Sequence, residues 1–312
     1  MANHPRLSRI ALAALLALAT GVSCADIINL EFKFTPFTGD LKQDHVDSVA
    51  GKAKVFINRI PILAQEIDKQ ELPVLFDDRE VSPAVWIPVA SMGSVVRKGK
   101  NAIRIEFVPA KAAPYQAQFS WAAVNDSATE KTEAGSLQAT NQSGEGKEDK
   151  QGTGKMIFER EFIANFAKDR PWHHYPAITA LSAVDKQRLT DLLKSRTEAF
   201  KPKLDAIYSL LENNPVVNLA EARKSKCLDQ AYAAGVRMAA PALDEIEFVT
   251  TGNPEVVLRR KDGNPLFQPN REAFERIKGE KVQMCAGILL SIVYPVQLIV
   301  VRKPDGEWIA AD

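Results

Sequence analysis

The run from Ser182 to Asn213 constrains the fold of this chain more than any other stretch. Leu189, Leu193, Phe200, Leu204, Ile207 and Leu211 recur at intervals of three, four or seven residues, which lines one face of a helix. Lys186, Arg188, Asp191, Lys194, Lys203 and Asp205 mostly take the other sides. A helix with one apolar stripe needs one partner surface, and strand-like segments lie on both sides of it in sequence. Ser182, followed three residues later by Asp185, reads as a capping box with Asp in place of Glu. Pro202 lacks an amide donor and crowds the preceding turn, so the run should kink there or divide into two abutting helices.

The N-terminus points to a compartment. Arg6 and Arg9 form a basic start, Ile10 to Ala19 is a short apolar run, and Ser23-Cys24-Ala25 offers small residues for cleavage. Residues 1–25 therefore read as a bacterial-type signal peptide. Cleavage after Ala25 would release a soluble periplasmic or secreted protein starting at Asp26. Cleavage before Cys24, with lipidation of that cysteine, is the alternative, although Gly21 stands where lipoprotein signals usually carry Leu. No later stretch reaches the roughly 18 apolar residues of a transmembrane helix.

Without Arg6 and Arg9, 38 Lys and Arg face 39 Asp and Glu, and no basic block is present. That balance argues against nucleic acid as a partner. Beyond Ala25 the cysteines are Cys227 and Cys285. In an oxidising compartment the pair is expected to form a disulfide. Two buried thiols in one core remain the alternative.

In the first half, Ile28, Leu30, Phe32 and Phe34 alternate with polar residues, as do Ile103, Ile105 and Phe107. With Lys54–Ile60, Trp86–Val89, Tyr115–Val124 and Met156–Phe162, they predict an antiparallel β-sandwich over 26–166. Residues 125–155 hold no aromatic residue and almost no large aliphatic one, and read as a disordered loop within that domain. Val55-Phe56-Ile57-Asn58, Trp86-Ile87-Pro88-Val89 and Gly99-Lys100-Asn101 leading into Ile103-Arg104-Ile105 together resemble the jelly-roll sandwiches of the galactose-binding-like class. In that class a Val-Asn-Gly hairpin precedes a Gly-x-Asn strand; Arg59 replaces the hairpin glycine here.

Residues 167–181 read as a linker, and 182–312 as an α+β domain of helices packed on a curved antiparallel sheet. Asn218 with Glu221 should cap a second helix. Strands are expected at Glu245–Thr250, Glu255–Lys261, Val282–Val293, Val296–Arg302 and Glu307–Ala311, with a short helix at Arg271–Lys278. Val296 to Val301 is nearly all apolar, as in a central strand covered on both faces. This order, closed by Asp305-Gly306-Glu307-Trp308, is similar to that of the NTF2-like fold. The resemblance implies a cavity in which enzymes of that fold use acids and tyrosines.

Candidate chemistry is sparse. The densest polar and aromatic cluster is Asp169 to Pro176, in which Trp172, His173, His174 and Tyr175 form either a ligand platform or an ordered linker. Adjacent histidines point apart in an extended chain, and no His-x-x-x-His or Cys-x-x-Cys spacing recruits zinc. His45 with Asp44 and Asp47 reads as a solvated loop in preference to a divalent-ion site, and Asp77-Asp78-Arg79-Glu80 as an exposed turn. There is no Gly-x-Ser-x-Gly elbow or phosphate-binding glycine loop, so no catalytic residue, metal or cofactor is assigned. The expectation is an exported, non-catalytic binding or interaction protein whose partner is an envelope protein or a glycan. A hydrolase or isomerase with its site in the C-terminal domain, or a structural or protective partner of another envelope protein, are the alternatives.

Overall fold

The computed structural model describes residues 29–75, 79–88, 92–124, 129–131, 137–139, 145–164, 167–212, 214 and 217–311. The expected signal peptide with Cys24 lies outside these residues, as do Asp77 and Asp78. The fold is α+β, with antiparallel sheets throughout.

The first half contains β1 (Asn29–Thr38), β2 (His45–Ser48), β3 (Gly51–Ile57), β4 (Ile60–Ile67), β5 (Glu71–Leu75), β6 (Glu80–Val81), β7 (Val85–Pro88), β8 (Gly99–Pro109), β9 (Tyr115–Val124), β10 (Thr129–Lys131), β11 (Leu137–Ala139), β12 (Glu145–Gly152) and β13 (Met156–Ala164). One sheet runs β12-β9-β1-β2-β5-β6, with β7 also beside β1; a second runs β13-β8-β3-β4. They meet through phenylalanines. Phe34 of β1 lies 5.8 Å from Phe107 and 5.6 Å from Phe158, and Phe32 lies 5.2 Å from Phe162. Each such pair contributes about 0.5–1.5 kcal/mol beyond the area it buries. The strict alternation of β8, with Ile103, Ile105 and Phe107 buried, is what aims these side chains inward.

Two local devices set the register of the second sheet. Asn58 and Arg59 both adopt positive φ, 51° and 69°, the requirement of a two-residue hairpin turn that matches strand twist. Arg59 thus takes the conformation that glycine would adopt more cheaply. Asn101 is buried, and its amide binds Arg97 O at 2.7 Å and Gly99 O at 2.9 Å while its oxygen accepts from Asn58 Nδ2 at 2.8 Å. One side chain therefore ties the Gly99 turn to the hairpin.

Parts of the expected disordered loop at 125–155 are paired strand, while residues 125–128, 132–136 and 140–144 lie outside the described residues. Glu145–Gly152 pairs with residues 115–122 of β9, and Thr129–Lys131 pairs with Leu137–Ala139. A polar segment can form an edge strand because the ladder uses backbone groups, and an already formed neighbour supplies the partners.

The second half contains α1 (Ala183–Glu198), α2 (Asp205–Leu211), α3 (Leu219–Ser225), α4 (Cys227–Ala233), β14 (Met238–Ala239), β15 (Ile246–Thr250), β16 (Glu255–Arg260), β17 (Gln268–Pro269), α5 (Arg271–Glu275), α6 (Glu280–Val293), β18 (Leu298–Arg302) and β19 (Trp308–Ala310). The 182–213 run divides around Pro202, where Lys203 and Leu204 take positive φ. The second expected helix also divides, at Lys226 (φ 53°).

Residues 282–293 form a helix, not the expected strand. Buried Ala286, Leu289, Leu290 and Val293 stand at i, i+3, i+4 and i+7, and the Met, Ala and Leu content suits a helix; the short apolar run hid that period. Cys285 consequently sits on a helix. The three closing strands on which the NTF2-like order rested become one helix and two short strands.

The C-terminal sheet, β15-β16-β18-β19, is covered on both faces. Val256, Leu258, Leu298 and Val300 join the helical core with Leu189, Leu193, Ile207 and Leu211. Val257, with Val249 and Ile299, packs instead into the N-terminal core. This accounts for the apolar character of β18. Polar bonds reinforce the junction. Arg97 pairs with buried Glu255 at 3.0 Å, Asn253 Nδ2 donates to Asn58 O at 2.6 Å, Gln297 Nε2 donates to Pro61 O at 2.6 Å, and the Ser94 hydroxyl donates to Ala311 O.

Asp185 caps α1 and also ties it to the sheet. Its carboxylate accepts from the Ser182 hydroxyl (2.7 Å), the Ser182 amide (3.1 Å) and Trp308 Nε1 (3.2 Å), with Arg302 at 3.6 Å. The Ser182 hydroxyl leads in holding this carboxyl below the usual aspartate range; burial opposes it, and the Ser182 amide, Trp308 and Arg302 add to the lowering. Cys227 of α4 and Cys285 of α6 are joined, with sulfurs 2.10 Å apart. Among the described residues no helix is long and apolar enough to cross a membrane.

Candidate functional site on the outer face of the first sheet

Strand alternation leaves Glu31 and Lys33 of β1, and Ser120 and Ala122 of β9, on the face turned away from the phenylalanine core. Register then sets them in rows. Lys33 faces Ser120 on one side and Trp86 on the other, and Ser120 faces Lys147 of β12. Across such a row, side chains stand about 5 Å apart.

A strap, residues 80–84, lies over this face and brings Glu80 to one side of it. Buried Thr35 donates to Ser82 O at 3.1 Å and accepts from Ala84 N at 3.1 Å, while buried Gln118 accepts from Val81 N at 2.9 Å. These bonds lower Glu80 onto the sheet, where its carboxylate accepts from Ser120 Oγ at 2.8 Å. The resulting open cleft, of about 430 Å³, is lined by Glu31, Lys33, Glu80, Ser120 and Lys147, with Trp121, Ala122 and Gly146 at its margin.

The cleft's charges are internally matched. Lys33 Nζ lies 3.1 Å from Glu31 and 3.7 Å from Glu80. Burial alone would lower the Lys33 pKa; the hydrogen bond to Glu31 and the charge of Glu80 outweigh it and hold the amine above its ordinary value. Trp86 is 57% exposed, yet its indole N–H donates to Glu31 Oε2 at 2.9 Å. An exposed ring is thereby fixed beside the cleft. At the margin, Trp121 lies across Gly146, where an added Cβ would meet the indole at 2.3 Å, and Arg160 stacks 3.5 Å from the centre of the same ring. Only glycine admits this arrangement.

The sequence-selected cluster at 172–175 divides in the structure. Pro171–His174 is a 3-10 turn in which His173 is buried. Arg170 N donates to its Nδ1 at 3.3 Å, so Nε2 carries the proton and donates to Ser94 O at 3.1 Å. His173 thus ties the 3-10 turn to Ser94 of the first half. His174 is exposed and hydrogen-bonded to Asp169 at 3.0 Å, a bond that holds the Asp169 carboxyl below its usual range. Trp172 is half-buried, its indole N–H buried without a partner among the described residues, and Tyr175 is half-buried beyond it.

His45 is exposed, 3.9 Å from Glu71, and Asp47 pairs with Lys69 at 3.1 Å. Among the described residues no cluster of three potential metal-ligating His, Cys, Asp or Glu side chains is present. In the C-terminal half, an open groove of about 580 Å³ runs between α1 and the β18–β19 turn. Its carboxylates already have partners. Asp191 accepts from Gln187 at 3.0 Å, Glu307 pairs with Lys303, and Asp305 accepts from Glu307 N at 3.0 Å.

Sequence reasoning missed Glu31, Lys33, Trp86, Ser120 and Lys147. Glu31, Lys33, Trp86 and Ser120 stood at outward positions of expected strands, whereas Lys147 fell in the expected loop, and their adjacency depends on register between strands up to about a hundred residues apart in sequence. Comparison with protein-family models, with curated proteins and with solved structures finds no match to this chain.

Proposed function

We propose that this chain is an exported binding protein of the cell envelope, and that it takes its ligand on the outer face of the first sheet. The observation that carries this reading is the cleft around Lys33, with Trp86 fixed at its side. Its polar groups are held in place before any ligand arrives, which reduces the ordering cost of binding. Export is supported by the basic, apolar and small-residue order of residues 1–25 and by the Cys227–Cys285 bond, which suits an oxidising compartment. Trp172, His173, His174 and Tyr175 serve in this reading as the ordered junction between the halves.

Two measurements test it. An intact-mass spectrum of protein recovered from the envelope should begin at Asp26, or at Cys24 with added lipid; a full-length cytosolic product refutes export. A fragment library titrated into the chain from Asp26 onward, followed by amide NMR, should place its hits on β1, β7, β9 and β12. Hits confined to the groove at Arg188 and Trp308 refute the site.

A further inference from the structure

We infer, resting on that reading of the site, that the ligand is a neutral saccharide chain with one ring stacked on Trp86. The charge arrangement selects against ions of either sign. Glu31 and Glu80 already share the Lys33 ammonium, so an incoming cation competes with a positive charge 3.1 Å and 3.7 Å from them. An incoming anion meets two carboxylates beside the Lys33 ammonium it seeks. A hydroxyl group avoids both conflicts, because it can donate to a carboxylate and accept from an ammonium at the same time, leaving the ion pairs intact.

Trp86 supplies the second half of the specificity. It presents a wide apolar surface, 57% exposed, within one strand spacing of these polar groups, and its hydrogen bond to Glu31 fixes the ring. The matching ligand has an apolar face and a hydroxyl-bearing edge on one rigid ring, the chemistry of a pyranose. Glu31 links the two parts, since it accepts the Trp86 indole proton on Oε2 and binds Lys33 through Oε1. The cleft is open to solvent and runs past Lys33, Ser120 and Lys147, and Trp86 continues the same cross-strand row beside it. An extended chain of sugars can lie along that row, whereas an enclosed pocket would admit only a terminal unit.

The test titrates the chain from Asp26 onward with cellohexaose, maltohexaose and N-acetylchitohexaose, and separately with trilysine and triglutamate. The readout is the indole N–H resonance of Trp86, assigned with Trp86→Phe. At least one hexasaccharide should move that resonance and the Lys33 amide, with little dependence on salt, and Trp86→Ala should weaken binding about tenfold or more while the melting temperature stays unchanged. If the charged peptides move Trp86 and Lys33 and no saccharide does, the site stands and the saccharide assignment falls. If saccharides bind only at Arg188 and Trp308, both fall. No movement of Trp86 with any saccharide at millimolar concentration overturns the inference.

Discussion

Arg97→Met should destabilise the protein by about 3 kcal/mol, because it strands a charge at the junction of the two halves. Glu255 is 1% exposed, and its two carboxylate oxygens lie 3.0 and 3.3 Å from Arg97 Nη2. At 3.0 Å and an effective dielectric constant of about 20, the attraction is roughly 5 kcal/mol. The Arg97 side chain is 25% open to solvent, and screening brings the expected loss to the lower end of the roughly 3–5 kcal/mol seen when one partner of a buried pair is removed. The neighbouring bonds of the turn survive the change, since Asn101 contacts only the backbone of Arg97. The double variant Arg97→Met, Glu255→Leu removes both charges and should return to within about 1 kcal/mol of wild type. Equilibrium urea unfolding of the disulfide-intact chain, followed by circular dichroism and by tryptophan fluorescence, measures both variants. A single variant within about 1 kcal/mol of wild type, or a double variant as unstable as the single, would refute the reasoning.

Two further outcomes follow from the C-terminal half. Asp185→Asn should cost about 1–3 kcal/mol at neutral pH through weakened charge-assisted bonds to Ser182 and Trp308. Because the folded carboxyl titrates below its unfolded value of about 3.9, wild type holds this stability above that pH and loses it as the pH falls through the lower folded value. The difference between wild type and variant should therefore close under strongly acidic conditions, and a difference independent of pH would contradict the assignment. Replacing Cys227 and Cys285 together by Ser should cost about 4 kcal/mol in the chain-entropy picture, given 58 residues of separation. A non-reducing peptide map should show the cross-link, and two free thiols in the exported protein would exclude it.

Residues whose structure follows from close neighbours could be read correctly. The Ser182–Asp185 box, the division around Pro202, the Asn58-Arg59 hairpin and the alternation of β8 each arise within a few residues, where backbone geometry and capping bonds decide the outcome. Errors came where tertiary partners overrode composition. Glu145–Gly152 has no apolar reason to order, but β9 offers it a ladder. Val282–Val293 carries apolar residues on most sides, so its period was obscured until the packing of Ala286, Leu289 and Leu290 revealed a helix. His173, for which a ligand platform and an ordered linker were both open from sequence, is buried against Ser94 O, a contact 79 residues away that local pattern does not reveal.

By itself, then, the sequence determined the α+β class and which side of each expected strand that formed carries polar groups, and it made Cys227 and Cys285 candidates for a disulfide that the structure forms. Periodicity is a property of contiguous residues, and can be read without knowing what packs against them. Tertiary structure alone decided that Trp86, Lys33, Ser120 and Lys147 share a row, that a strap through Thr35 and Gln118 brings Glu80 onto it, and that Arg97 meets Glu255. Those adjacencies depend on strand register and on sheet-to-sheet packing, where a slip of one residue would reverse every side chain and leave the local pattern unchanged.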